Sequence, residues 1–232
     1  MKSVLLAIAI ALAMVTVGNA ALDVPAIDQD IFTATLGYRY ICGPTVATEL
    51  VAYWARNGYP NLMNGQPSGE IPDTSAAMYE LFRTMLVYSG YTGTYTYPDT
   101  MRSGLARYFA DKGYEAEVVL TRSTVKWADI KSELNAGRPV LILSYDLNHW
   151  LVLTEYTDGP TIYSKYVTVL CGHIPLIRTI SLSTLGVFNM KAVYVRPKVI
   201  TPVTEITPYN EFWYAAAKAW CDANGWEIEK AD

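Results

Sequence analysis

Three cysteines and two histidines are all the thiol and imidazole chemistry that this sequence holds. A thiol is a weak nucleophile until it ionises. Cys42 stands where ionisation is helped, directly before Gly43-Pro44-Thr45 at the start of an expected helix. Unpaired amides and the helix macrodipole favour a thiolate there. Such a nucleophile needs a base within hydrogen-bond reach, and the two need only be neighbours in space. His149 follows the turn-like Asp146-Leu147-Asn148 at the entry to an expected strand, and it is the candidate base. The competing reading of a lone cysteine is a small core residue. His173 reads as a turn residue. With Cys171 it forms a Cys-x-His pair that has no close partner pair elsewhere, so no metal site is expected. Neither a glycine-rich phosphate loop nor a His-Glu-x-x-His motif occurs, and no cofactor is expected.

The elements that must position these residues fall into two halves. Pro44 suits a first helical turn, and Val46, Leu50, Val51 and Trp54 form an apolar stripe that ends at Asn57-Gly58. Before it, residues 21–37 read as irregular or short-stranded. Further helices are expected over 74–87, from a cap at Asp99 to Gly113, and over 125–135. A strand is expected over 115–120. From Pro139 onward the chain turns β-branched and apolar, with strands over 139–144, 150–156, 162–170, 176–182 and 191–195. Helices first and strands second predict an α+β domain with a mainly antiparallel sheet.

Composition narrows the class. At 232 residues and 51 % hydrophobic, the chain can bury a good core. Met1–Ala20 has the pattern of a secretory signal: Lys2, an apolar run, and small residues at Gly18-Asn19-Ala20. Its removal leaves no stretch that could span a bilayer, so a secreted or extracytoplasmic protein is expected. It also takes the formal net charge from −4 to −5. No basic cluster occurs, which argues against nucleic acid as a partner. The organisation expected is a signal over 1–20, one domain over 21–197, and a proline-bearing linker with a last helix over 198–232. An odd cysteine count in an oxidising compartment leaves at least one thiol unbridged within the chain. Cys171 with Cys221 is the pairing that keeps Cys42 free, if their Cα atoms approach to about 6 Å.

The wording of two blocks adds to this. CGPTVATELVAYWARNGYPNL, from Cys42 to Leu62, resembles the corresponding block of papain-like cysteine peptidases related to the bacteriocin-leader-processing family. Lys131 to Val140, KSELNAGRPV, followed by His149-Trp150-Leu151-Val152-Leu153, is similar to that family's second block. The likeness runs from about Tyr38 to Val195. It implies a papain-like fold, a peptide or protein substrate, Cys42 as nucleophile and His149 as its base. The family's oxyanion glutamine, about six residues before the cysteine, is replaced here by Leu36, and Gln29 lies further upstream. The Cys42 backbone amide and Tyr38 are the substitute donors expected. The family's orienting acid at the end of the strand after the histidine strand is absent, since that strand runs into Cys171-Gly172-His173. Asp158, in the preceding hairpin turn, is the nearest acid and the candidate orienter. The expected function is thus a secreted cysteine peptidase or amide hydrolase. The rival is a catalytically silent extracellular binding module that uses the aromatic loop around Tyr91, Tyr95 and Tyr97.

Overall fold

The computed structural model describes residues 21–64, 76–172, 177–186 and 188–198. These all fall in one compact unit ending at Lys198. The expected signal, the C-terminal linker and helix, His173 and Cys221 lie outside the described residues, and so does the pairing of Cys171 with Cys221.

Among the described residues five α-helices and one 3-10 turn (Pro60–Met63) precede or interleave with six strands: α1 (Gln29–Leu36), α2 (Cys42–Arg56), α3 (Ala76–Tyr88), α4 (Pro98–Asp111), β1 (Ala116–Leu120), α5 (Trp127–Asn135), β2 (Val140–Ser144), β3 (His149–Thr157), β4 (Tyr166–Leu170), β5 (Ile177–Ser181) and β6 (Met190–Pro197). The strands form one sheet in the order β1-β6-β2-β3-β4-β5, with every neighbouring pair antiparallel. The α+β expectation holds.

The sheet separates two cores, because alternate residues of a strand face opposite sides. Leu141, Leu143, Trp150, Val152, Val193 and Val195 face α2, α3 and α4. Val140, Ile142, Leu151, Leu153 and Val169 face the other way, where Ile130 and Leu134 of α5 cover part of them. The chain commits most to α2. Every residue from Gly43 to Ala55 is buried, so this helix is enclosed rather than striped. Several of its polar groups are satisfied inside: Thr45 and Thr48 donate to the Ile41 and Pro44 carbonyls, each at 2.8 Å. The Glu49 carboxylate accepts the Ile27 amide at 3.0 Å, tying the N-terminal segment to the helix. An unpaired polar group at such depth costs several kcal/mol, of order 2–7.

Three expectations shift. Residues 21–37 are not irregular throughout, because α1 occupies Gln29–Leu36; Asp28 caps it by accepting the Asp30 amide, and Gly37, at φ 73°, ends it. Asp99 is not a cap, because Pro98 opens α4 and puts Asp99 inside the first turn. The strand expected from Ile162 begins only at Tyr166, since Thr161 and Ser164 bond to each other in a turn.

Candidate active site

Cys42 is the first residue of α2, so its own amide and that of Gly43 precede the first intrahelical bond, Thr45 N–H to the Ile41 carbonyl at 3.0 Å. Gly43 is required by packing: a Cβ there would come within 2.5 Å of the Thr96 Cβ. The segment before the helix is held by Tyr91, whose hydroxyl donates to the Arg39 carbonyl and, at 2.7 Å, to that of Gly93. Tyr40 takes a left-handed φ of 55°. That conformation is costly for a bulky residue and is found where surrounding structure imposes it.

His149 opens β3 and pairs with Ser144 across the β2–β3 turn. The preceding Asn148 is also left-handed, at φ 47°. The turn is pinned from outside, because Asn189 donates to Asp146 at 2.7 Å and the Ser144 hydroxyl donates to the Leu185 carbonyl at 2.8 Å. Each of the two candidate residues therefore follows closely on a backbone position that the fold constrains.

Cys42 and His149 line one cleft of about 490 Å³. Gln29, Tyr40, Tyr95 and Trp150 contribute to the same walls. The Cys42 thiol is free. Burial pushes its pKa up, while the amides of Trp150, Gly43 and Cys42 itself pull it down without cancelling the rise. Burial pushes His149 down, against a smaller upward pull from its bond to Cys171. The helix start thus does not yield a thiolate by itself, as its position in the sequence suggested; desolvation outweighs the amides.

The His149 ring is oriented by main chain. Its Nε2 lies 2.6 Å from the Cys171 carbonyl oxygen. A carbonyl only accepts, so Nε2 carries the proton and the basic lone pair is on Nδ1. Cys171 follows the end of β4, at the place where an orienting acid was sought in the sequence. Asp158 is not that group. Its carboxylate takes the Lys131 ammonium at 2.5 Å and the Trp127 indole N–H at 2.9 Å, and it lines no part of the cleft. Those donors, Lys131 foremost, hold its pKa below the ordinary carboxylate value. An acid already engaged by a cation in a hairpin turn is in no position to serve the imidazole.

Tyr38 does not line the cleft either. Its ring packs edge-on against Tyr91, with centroids 6.3 Å apart. The residue missed by spacing is Gln29. It is the first residue of α1, it is 6 % exposed, and it lines the cleft with Cys42. Its main-chain amide donates to the Gly172 carbonyl at 2.6 Å, which joins α1 to the segment that orients His149. The Asp28 cap and the Gly37 stop marked this helix in the sequence, and the irregular reading of 21–37 passed over them. Of the aromatic loop, Tyr95 lines the cleft, Tyr91 is tied to Arg39, and Tyr97 is exposed against the Tyr95 ring.

Among the described residues no group of three or more His, Cys, Asp or Glu is placed to hold a metal ion.

Among solved structures the chain is similar to UfSP from C. elegans, at 12 % identity and a TM-score of 0.45, with 78 % of this chain and 34 % of that one covered. It therefore spans about a third of the UfSP chain. It is also similar to the Pseudomonas avirulence protein AvrPphB, at 11 % identity and a TM-score of 0.34, covering 76 % of this chain and 98 % of that one. No curated protein sequence matches it. The family model described as "Peptidase_C39 like family" matches residues 21–169, a span that carries α1, α2 and the strand opened by His149, and the chain belongs to that family.

Proposed function

We propose that the protein is a secreted cysteine peptidase in which Cys42 and His149 form the reacting pair. The observation that carries this is their shared cleft, with the His149 tautomer fixed by the Cys171 carbonyl. Burial pushes the Cys42 thiol up and the imidazole of His149 down, which favours a neutral pair in which His149 acts as a general base during attack. The Cys42 sulfur adds to the substrate carbonyl carbon as its proton passes to Nδ1. The carbon–nitrogen bond then breaks, and the leaving amine takes that proton from the ring. The thioester left on Cys42 is hydrolysed by a water that His149 deprotonates, and the proton returns to the thiol. The Cys42 amide and the Gln29 side-chain amide are the donors suited to the oxyanion.

Two gaps favoured a silent binding module in the sequence. One was the missing glutamine, and Gln29 in the cleft supplies a counterpart. The other was the missing acid, for which the Cys171 carbonyl is a counterpart. Both support the enzyme reading. Residues Met1–Ala20 serve as the export signal, which N-terminal sequencing of the exported protein tests, with Ala21 expected first.

Hydrolysis of a mixed peptide library by the full chain tests the pair. Cys42→Ala should abolish turnover, and His149→Ala should lower it about 10²- to 10⁴-fold, the usual contribution of a positioned acid–base group. Undiminished hydrolysis by Cys42→Ala would overturn the assignment.

A further inference from the structure

His149 also lines a second groove, of about 540 Å³, on the sheet face opposite α2. Strand alternation brings His149 and Leu151 of β3, Val169 of β4, and Arg178 and Ile180 of β5 to this one face. Leu151 and Val169 make a buried floor, and the partly exposed Leu147 and Ile180 form the rim. Helix α5 packs on β2 and β3, and among the described residues no helix packs comparably on β4 or β5. At its far end Arg178 is exposed and joins none of the ion pairs among the described residues.

Resting on the peptidase reading, we propose that this groove binds the leaving-group side of the substrate, with an apolar side chain on the Leu151–Val169 floor and a carboxylate on Arg178. The chemistry fixes the side. His149 must return its proton to the departing amine, so the chain beyond the scissile bond leaves past the imidazole. The groove begins there. Its apolar floor followed by a cation without a described carboxylate partner matches an apolar residue followed by an acidic group. The carboxylate comes either from an Asp or Glu side chain or from the C-terminus of a short leaving segment, and Arg178 would bind both by the same forked geometry.

The test uses the full-length protein and mixed peptide libraries, one with free and one with amidated C-termini, with cleavage sites read by mass spectrometry. Asp and Glu should be enriched about two- to five-fold in the first three positions after the cut, the range an exposed ion pair supports. Arg178→Ala should erase the enrichment, and Arg178→Glu should replace it with Lys and Arg. Iodoacetamide should label Cys42 at the wild-type rate in both variants. If the C-terminus is the source, the preference is instead for short leaving segments and disappears in the amidated library. An identical cleavage profile in wild type and Arg178→Glu would overturn the subsite while leaving the peptidase reading intact. Absence of any Cys42-dependent cleavage would overturn both.

Discussion

Titrating the reactivity of Cys42 from pH 5 to 10 distinguishes two kinds of cysteine site. A preformed thiolate–imidazolium pair keeps its sulfur ionised from about pH 4–5 upward, and its alkylation rate is flat through neutrality. The structure points the other way on both partners. Burial raises the Cys42 thiol despite three amides directed at the sulfur, and burial lowers His149 despite its bond to the Cys171 carbonyl. A thiol of ordinary pKa, about 8.5, is about 3 % ionised at pH 7. Cys42 should be ionised less than that. Its alkylation by iodoacetamide at pH 7 should therefore run at least about 30-fold below that of a fully formed thiolate, and below that of free cysteine. Between pH 7 and 8 the rate should climb nearly ten-fold, and it should still be rising at pH 9. Turnover should behave differently, because it needs only a neutral His149. Peptide hydrolysis should rise with pH through a His149 pKa that lies below its ordinary value, and level off near neutrality. Mass spectrometry of the Cys42 peptide gives the first profile, and initial rates give the second. A flat alkylation rate from pH 5 to 9 would refute the neutral pair and, with it, the claim that burial outweighs the helix start.

Gln29→Ala should lower kcat about 10²- to 10³-fold, as loss of an oxyanion donor does, while leaving iodoacetamide labelling of Cys42 unchanged. Gly172→Ala places an alanine at φ 65°, which costs about 1–2 kcal/mol by itself. Its Cβ would also sit 3.2 Å from Thr45 Cγ2 and 3.3 Å from Gln29 Oε1. It should lower stability in denaturant titration, and it should lower kcat by shifting the Cys171 carbonyl, whereas Asp158→Asn should leave kcat unaltered. Glu133 is buried and bonded to Arg138 at 2.6 Å and to Arg196 at 2.7 Å. Burial pulls its carboxyl pKa up, but the two guanidiniums together hold it below the ordinary value. Its contribution to stability is therefore present above the unfolded carboxyl pKa, about 4.3, and is lost as pH falls through the lower folded value. Glu133→Gln should cost about 3 kcal/mol at pH 7, the low end for breaking a buried pair because both arginines are partly exposed, and should flatten the acid limb of the stability curve.

What the sequence revealed, and what it hid, follows from where each signal is stored. The Cys42 helix and the strands of the second half carry local signals: Pro44 at a helix start, apolar spacing, and β-branched runs between turn residues. Those elements came out within a few residues of their bounds. The enclosure of α2 was not readable, because its outer face is covered by chain distant in sequence, as when Ile27 meets Glu49. Gln29 lies 13 residues before Cys42, too far along the chain for spacing to mark it. Yet α1 and the turn at Gly37 fold that distance back, and the Gly172 carbonyl fixes where the helix begins.

The orienting group is the more instructive miss, because it was sought as a side chain. Every residue has a carbonyl, so residue type cannot reveal one that serves an imidazole, and by residue type Asp158 is the nearest acid. What can mark such a carbonyl is the backbone that aims it. Gly172 is left-handed at φ 65°, and it packs against Thr45 of the Cys42 helix and against Gln29. A side chain there would crowd both. The glycine after the strand end is thus a local trace of the group that holds His149, and it ties the Cys42 helix, Gln29 and His149 to a single turn.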